Sequence, residues 1–328
     1  MSLPLLICDD SSFARKQMAR ILPDDWDVDI SFAANGAEGL DAIRAGKGDV
    51  LFLDLNMPVL DGYQVLETIR KEDLPTIVIV VSGDIQPEAR AKVMKLGALD
   101  FIKKPIDKHN VTDILNKYGV QIDRTAKKQK PGIETDLYDC YREITNIAMG
   151  QAADMLARLL NVFVLLPVPR VNLIEASELH MALQLADYDD TFSAVCQGFI
   201  GQGISGEALL IFNDSSFADI AKLMNYEDKI DDTVEVELIM DTASILIGAC
   251  LKGIADQLDM SFSYGHPIVL GQHCQVPELI KASSRWKKTL AIEVNYKIKD
   301  HNINCDLLLL FTEDTIENMN KKVACLLD

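Results

Sequence analysis

Five side chains able to make and hold an acyl phosphate follow or close short apolar segments of this chain. They are Asp9, Asp10, Asp54, Ser82 and Lys104. A carboxylate can attack a phosphoryl donor, while a hydroxyl and an ammonium hold the oxygens of the transferred group. Brought together, these residue types predict a site that accepts a phosphoryl group on Asp54.

Three of these side chains are carboxylates, which repel one another when they are packed together. A hard cation with oxygen ligands removes that repulsion, and Mg²⁺ suits a shallow site that keeps several waters. We therefore expect Mg²⁺ as the cofactor, held among Asp9, Asp10 and Asp54. Positioning and charge neutralisation would then supply the whole of the catalysis.

The apolar segments alternate with amphipathic ones. The apolar runs span residues 3–8, 50–53, 76–81 and 101–102, and the amphipathic stretches lie near residues 12–22, 36–46, 60–71, 87–96 and 107–118. Such alternation predicts an α/β domain with a five-stranded, doubly wound parallel sheet. The ligand site of these sheets lies beyond the carboxyl ends of the strands, where all five side chains fall.

On these residues, positions 1–122 resemble the receiver domain of a two-component response regulator. The resemblance implies that Asp54 is the phosphoacceptor and that Mg²⁺ is held by Asp9, Asp10, Asp54 and the main-chain carbonyl of Asn56. It also implies a phosphate-binding and switching set, made of Ser82, Phe101 and Lys104. The phosphoryl group would come from a histidine kinase or a small phosphodonor.

The negative charge of the chain, formally −18, lies mostly in its second part. Residues 135–328 hold 29 acidic and 14 basic side chains. A DNA-binding surface must be basic, so we expect no nucleic-acid partner, which excludes a transcription factor. Residues 123–134 are instead basic and contain Pro131-Gly132, which predicts a linker between domains at 1–122 and 135–328. That linker is either a solvated tether or a surface that docks on an acidic neighbour.

No membrane span or signal peptide is expected, because no apolar run approaches the ~20 residues that a span needs. The seven cysteines form no CxxC pair, which indicates free thiols rather than disulfides or a zinc site. These features predict a cytoplasmic protein.

The second part of the chain contains an internal repeat at an offset of 98 residues. The matched pairs are Ile147/Ile245, Gly150/Gly248, Ala157/Ala255, Leu160/Leu258, Pro169/Pro267 and Val171/Val269. The segment Leu209–Phe212 is echoed by Leu308–Phe311. We expect an α+β domain made of two copies of helix, strand, strand hairpin and helix, packed as a pseudo-symmetric pair.

The first long helix of this domain has two faces of different character. A step of about 100 degrees per residue gives a core face with Leu137, Tyr141, Ile144, Ala148, Met155 and Leu159. The opposite face carries Glu143, Asn146, Gly150 and Asp154. Asn and Gly weaken a helix interior, Gly by about 1 kcal/mol, so this stripe is either functional or a solvated face with an incidental Asn. As a functional pair, a carboxylate would bind an ammonium and the adjacent carboxamide would orient a water.

Residues 135–328 also resemble the CheC, CheX and FliY family of phosphatases, through the internal repeat and the segment Glu143-Ile-Thr-Asn146. The resemblance implies that Glu143 binds the phosphate-site lysine of a receiver and that Asn146 aligns a water for attack on the aspartyl phosphate. In the second copy the equivalent pair is Asp241 and Ser244. We therefore expect a degenerate second site, with activity only in the first copy.

The combined expectation is a response regulator whose output domain is a phosphatase for the aspartyl phosphate of receiver domains in chemotaxis-type signalling. Phosphorylation of Asp54 would regulate it. The substrate would be a CheY-like receiver or the chain's own receiver, and the sequence leaves reaction in cis and in trans open. The alternative is a phosphorylation-dependent adaptor or flagellar-switch-like binding protein with an inactive CheC-like domain. A homodimer is compatible with both.

Overall fold

The computed structural model describes residues 2–23, 26–120, 134–175, 191–226, 231–274 and 288–327. The chain divides into two compact units, residues 1–143 and 144–328. The predicted linker at 123–134 lies, except for Glu134, outside the described residues. The predicted domain boundary therefore stays a prediction.

The first unit is built on a five-stranded parallel sheet. Its strands are β1 (Leu3–Cys8), β2 (Val28–Ala33), β3 (Val50–Leu53), β4 (Ile77–Ser82) and β5 (Asp100–Lys103). Its helices are α1 (Ser12–Ile21), α2 (Gly36–Arg44), α3 (Gly62–Glu72), α4 (Pro87–Leu96) and α5 (Lys108–Lys117). The order β2-β1-β3-β4-β5 confirms the predicted doubly wound α/β fold.

The sheet order explains why the acidic residues meet. The chain runs outward in opposite directions from β1 and β3, so the crevice of this fold opens between their carboxyl ends. Cys8 pairs with Leu53 in the register of the two strands. Asp9 and Asp54, the next residue of each strand, therefore leave the sheet side by side. Ser82 pairs with Lys103 at the ends of β4 and β5, which brings Lys104 to the same edge.

Strand β2 is the element that the apolar runs did not identify. Its sequence alternates, and only Ala33 among its side chains is buried. A strand at the edge of a sheet packs on fewer neighbours and needs no continuous apolar run. The short runs of the inner strands β3 and β4 are apolar because both of their faces pack against helices.

The second unit contains helices and an eight-stranded sheet. Its helices are α6 (Leu137–Leu160, which begins in the first unit), α7 (Phe217–Leu223), α8 (Asp232–Gln257) and α9 (Glu313–Leu327). Its strands are β6 (Val164–Leu165), β7 (Arg170–Glu175), β8 (Phe192–Gly201), β9 (Ile204–Asn213), β10 (Ser263–Tyr264), β11 (Ile268–Cys274), β12 (Lys288–Ile298) and β13 (Ile303–Thr312). The two long hairpins, β8–β9 and β12–β13, pair antiparallel through β9 and β13 at the centre of the sheet.

The strand pairing shows the predicted internal repeat. The sequence predicted a helix, a strand, a strand hairpin and a helix in each copy, whereas each copy has two strands between its first helix and its hairpin. The short strands exchange between copies, because β6 and β7 of the first copy pair with β12, while β10 and β11 of the second pair with β8. Each copy thus completes the sheet of the other, which binds the pair into one α+β domain.

Helices α6 and α8, the first helix of each copy, pack closely where a glycine allows it. A Cβ added at Gly253 would lie 2.8 Å from Ala148 Cα and 2.9 Å from Ala148 Cβ. The amide of Gln257 donates to the main-chain carbonyl of Ile144 (2.9 Å). Tyr141, Ile144 and Ala148 are buried, as predicted.

Two other residues of the predicted core face do not lie in the core. The Met155 and Leu159 side chains are 53% and 52% exposed. The buried residues near the end of α6 are instead Ala152, Leu156 and Leu160. The contact surface rotates around α6 along its length, so one straight stripe does not describe it.

Helix α8 also corrects an expectation about apolar runs. It is long and apolar enough to cross a membrane by length and composition, with a mean hydropathy of 1.6 in its best window. However, 67% of that window is buried inside the protein. Its apolar character matches that of a core helix, which is hydrophobic all round because it packs on several sides.

A candidate phosphoryl-transfer site

The strand ends of the first unit bring the predicted acceptor residues together. Asp54 donates its main-chain N–H to the carbonyl of Cys8 (2.9 Å), which continues the β1–β3 pairing past the last strand residue. The loop after Asp54 turns sharply back, and a Cβ at Gly62 would overlap the main-chain carbonyl of Asp54. Gly62 therefore fixes the turn that positions the Asp54 carboxylate.

Lys104 is the centre of the site. Its Nζ lies 2.7 Å from Asp9 Oδ2, 3.1 Å from Asp54 Oδ1 and 3.0 Å from Glu143 Oε1. All four side chains are at most 7% exposed. Glu143 comes from α6, and its contact falls inside the unit of residues 1–143. The sequence predicted the first two partners from the strand ends and assigned Glu143 to a phosphate-site lysine.

The electrostatics of this cluster favour a further cation. Burial raises the pKa of Asp9; Lys104 opposes the rise, and the carboxylates of Asp54 and Glu143 add to it. Burial and the carboxylates of Asp9 and Asp54 raise the pKa of Asp10 to about 7. Burial also raises the pKa of Glu143, although Lys104 opposes the shift. One ammonium does not neutralise four carboxylates in a buried site.

The donor set fits Mg²⁺. Asp9, Asp10 and Asp54 supply carboxylate oxygens, which are the ligands that this cation prefers. Asp54 Oδ1 is buried and accepts no hydrogen bond from the described residues, although the ammonium of Lys104 lies near it. The other oxygen, Oδ2, accepts from the main-chain N–H of Asn56 (2.8 Å). A buried carboxylate oxygen without a hydrogen bond, amid excess negative charge, is what a further cation would satisfy.

The remaining receiver residues lie at the same edge of the sheet or beside it. Ser82 is fully buried at the end of β4, and its Oγ accepts from the N–H of Asp84 (3.1 Å). Phe101 is half-buried and packs against the core between the sheet and its helices. Ser82 is thus close to Lys104 along the strand ends, while Phe101 connects the site to the core.

Sequence reasoning missed Asp139, which lies one turn before Glu143 on α6. Its Oδ2 accepts from Ser12 Oγ (2.7 Å), from the Phe13 N–H (2.8 Å) and from Ser11 Oγ (3.3 Å). The carboxylate therefore lies at the N-terminus of α1, where free N–H groups and the helix dipole favour negative charge. The signal was available, because Asp139 extends the stripe of Glu143 and Asn146 by one helical turn.

Asn146 belongs to the second unit and has an unusual environment for an asparagine inside a helix. The side chain is 7% exposed. Its Oδ1 is buried and accepts no hydrogen bond from the described residues. Burying such an acceptor without a partner costs free energy unless a water or another group satisfies it. Asn146 therefore offers a free acceptor of the kind that could hold a water.

The equivalent pair in the second copy has a different environment. Asp241 and Ser244 are both exposed on α8. Ser244 Oγ donates to the carbonyl of Met240 in the same helix (2.8 Å), so its hydroxyl is already engaged. No described cation lies within ion-pair distance of Asp241.

A separate cluster lies on the second unit around His273. Its Nδ1 lies 2.9 Å from Asp214 Oδ2, and its Nε2 lies 3.1 Å from Glu235 Oε2. These carboxylates, with Asp214 giving the largest effect, raise the pKa of His273. Asp232 adds a third acid within reach of a common metal ion. Both ring nitrogens already have carboxylate partners, so the ion pairs explain the cluster.

Comparison with known families agrees with both parts of the chain. Residues 5–116 match the response regulator receiver domain. Residues 142–173 match the CheC-like family, and this segment includes Glu143 and Asn146. The two matches follow the order predicted from the sequence.

Individual relatives cover only parts of the chain. An uncharacterized response regulatory protein of Vibrio cholerae is 31% identical over 171 residues, or 52% of this chain and 64% of that protein. A protein-glutamate methylesterase/protein-glutamine glutaminase of Bacillus licheniformis is 34% identical over 145 residues, or 40% of each chain. This chain thus spans less than two thirds of both, and it shares with the methylesterase the receiver domain alone.

Among solved structures, Thermotoga maritima FliY matches 59% of this chain and 98% of its own chain. The TM-score is 0.43 and the sequence identity is 17%. The family matches thus place a response regulator receiver domain at residues 5–116, on the parallel sheet, and a CheC-like segment at residues 142–173.

Proposed function

We propose that this chain is a chemotaxis-type response regulator whose CheC-like region hydrolyses the aspartyl phosphate of receiver domains. Phosphorylation of Asp54 regulates it. The observation that carries the proposal is the contact of Glu143 Oε1 with Lys104 Nζ (3.0 Å), since that ammonium also lies 3.1 Å from the Asp54 carboxylate. A CheC-type glutamate thus meets a receiver lysine inside this chain.

The chain's own residues divide the work of phosphorylation and hydrolysis. The Asp54 carboxylate attacks the phosphorus of the donor and becomes an acyl phosphate, while the donor's bond to that phosphorus breaks and the imidazole or carboxylate of the donor leaves with the electron pair. Lys104 and Ser82, which lie at one edge of the sheet, hold the phosphoryl oxygens. For hydrolysis, Glu143 binds Lys104 and fixes α6, while Asn146 Oδ1 accepts a hydrogen bond from the attacking water and orients it.

The hydrolytic step balances without another reactant. An O–P bond forms from water to phosphorus, and the P–O bond to Asp54 breaks, with its electron pair returning to the carboxylate. Both protons of the water leave with the phosphate as H₂PO₄⁻, which then equilibrates with solvent. Mg²⁺ bound by Asp9, Asp10, Asp54 and the Asn56 carbonyl would supply charge neutralisation to the phosphoryl group.

The proposed function implies a phosphodonor, a substrate receiver and a cellular location for this protein. The phosphoryl group comes from a histidine kinase or a small phosphodonor, and the substrate is a CheY-like receiver or the chain's own receiver. The protein works in the cytoplasm, where such signalling partners are found. An acidic second unit excludes nucleic acid as a ligand of this site.

The decisive variant is Asn146→Ala. The full chain is phosphorylated with acetyl phosphate and Mg²⁺, the donor is removed, and release of inorganic phosphate is followed. Loss of the water-orienting amide should slow release by about 100-fold, the loss expected when a reacting group is no longer held in position. Ser244→Ala, at the equivalent position of the second copy, is the matched control and should release phosphate at the wild-type rate.

Equal rates for wild type and Asn146→Ala, with added CheY-type receiver as well as without it, would contradict the phosphatase. Contacts of the CheC-like region that persist without hydrolysis would then favour a phosphorylation-dependent adaptor. Glu143→Gln provides a second check, because it removes the charge that binds Lys104 while keeping the size of the side chain. It should slow release by about 10-fold or more, as expected for a buried charged contact.

A further inference from the structure

We propose that the chain's own phosphorylated receiver is the substrate of α6 in cis, and that Asp139 is the positioning residue that holds α6 on it. The inference rests on the proposed phosphatase function. It adds the identity of the substrate, which the sequence left open, and a residue that no family motif identified. Its basis is that the unit of residues 1–143 includes the receiver and the first two turns of α6.

Asp139 makes a specific contact rather than a general surface pair. Its carboxylate accepts two side-chain hydroxyls and one main-chain N–H at the start of α1. Asp139 is 7% exposed, and Ser11 is 5% exposed. Charge-assisted hydrogen bonds of a buried carboxylate are about twice as strong as neutral ones. The contact is therefore strong enough to select one position of the helix on α1.

Glu143 makes the second contact, one turn further along the same helix. Residues four apart lie on one side of a helix, so Asp139 and Glu143 act as a pair of anchors. One anchor binds the start of α1, and the other binds Lys104 at the ends of the strands. Asn146 follows after three more residues, which places it on the same side of α6 and fixes its direction relative to the anchors.

The burial of Asp54, the phosphoryl acceptor, also affects how readily it is phosphorylated. Asp54 is 1% exposed, so a phosphodonor reaches its carboxylate only after a local opening, and the opening that follows from the proposal is release of the Glu143–Lys104 contact. Phosphorylation therefore requires the anchors to open, and hydrolysis requires them to close again. Weakening Asp139 should then speed phosphorylation and slow dephosphorylation, whereas a loss of folding would slow both.

A mixing experiment tests reaction in cis. Asp54→Asn chains lack the acceptor but keep α6 intact, and phosphorylated Asn146→Ala chains keep the acceptor but lack the water-orienting amide. A short tether gives an effective concentration of about 1 mM, roughly 1,000-fold above protein at about 1 µM. The mixture should therefore release phosphate no faster than Asn146→Ala chains alone.

Release from the mixture at the wild-type rate would overturn the inference and leave the phosphatase standing, because hydrolysis would then occur between chains. Equal release by wild-type and Asn146→Ala chains on their own would instead contradict the phosphatase itself. The two failures are thus distinguished by the same set of proteins.

The anchor is tested with Asp139→Ala, Ser12→Ala and the double variant. Each single change should speed labelling by acetyl phosphate and slow release several-fold. The double change should do little more than Asp139→Ala alone, because the hydrogen bond that Ser12→Ala removes is one of the three that Asp139→Ala removes. Glu237→Ala, at the equivalent position of the second copy, is the control. Additive effects, or slower labelling in the single variants, would overturn the role of Asp139.

Discussion

The two copies of the repeat use one scaffold for different environments. In the first copy, Glu143 and Asn146 are buried on α6, and Glu143 is bonded to Lys104. In the second copy, Asp241 and Ser244 are exposed on α8, and the hydroxyl of Ser244 is bonded to its own helix. The same scaffold therefore carries a buried acid paired with a cation in one copy and an exposed acid with no described cation partner in the other.

The acid one turn earlier shows the same difference. Asp139 in the first copy accepts hydrogen bonds from the start of α1. Its counterpart Glu237 is exposed and accepts from the hydroxyl of Tyr226, within the second unit (2.8 Å). The first copy therefore directs its acids toward the receiver, and the second copy uses its acid for local stability.

Exchange of the pairs should have the largest effect. Glu143→Asp with Asn146→Ser gives the first copy the residues of the second, and phosphate release should fall by about 100-fold because the amide is lost. Adding Asp241→Glu and Ser244→Asn to that chain should not restore release. The second copy still lacks a lysine partner for its acid among the described residues. Recovery of phosphate release would show that the second copy can act like the first, which contradicts the difference described above.

Substitution of two glycines of α8 should distinguish the effect of helix packing from that of helix propensity on the free energy of unfolding. A Cβ at Gly253 would meet Ala148 of α6, whereas nothing lies within 4 Å of a Cβ at Gly248. Gly253→Ala should lower the free energy of unfolding by about 1–3 kcal/mol, because the two helices must separate. Gly248→Ala should raise it by about 0.5–1 kcal/mol, through helix propensity. Urea denaturation measures both, and equal shifts would contradict the close packing of α6 and α8.

His273 should give the smallest effect, with a defined dependence on pH. Its pKa is raised, so the stability that it contributes is fully present below about pH 6.5 and is lost as pH rises through its pKa in the folded protein. His273→Asn should therefore lower the melting temperature at pH 6 and change it little at pH 9. The side chain is 45% exposed, so the loss should stay below about 1 kcal/mol. An equal loss at both values of pH would exclude the ion pairs as its cause.

The relative positions of the strand-end residues could be predicted from the sequence because the order of strands in a parallel sheet fixes where each strand ends. In a parallel sheet, the residues after β1, β3 and β5 must share one edge, so Asp9, Asp54 and Lys104 could be placed without coordinates. The repeat was also visible, since helix and hairpin segments recur at a fixed offset. Strand β2 escaped notice because an edge strand lacks a continuous apolar run.

The helix faces were harder to predict because packing depends on partners that the sequence does not name. Met155 was assigned to the core by a straight stripe, yet the contact surface of α6 rotates along the helix. The exchange of β7 and β11 between the copies is likewise a long-range pairing. Asp139 was missed because its partners, Ser12 and Phe13, are more than a hundred residues away in the chain.

The most direct test of the central claim is the rate of phosphate release from the phosphorylated wild-type chain at two protein concentrations about tenfold apart. Release within one chain should give the same first-order rate constant at both, about 100-fold above that of Asn146→Ala. A rate constant that matches Asn146→Ala at both concentrations would contradict the claim that Glu143 and Asn146 act on the Asp54 phosphate.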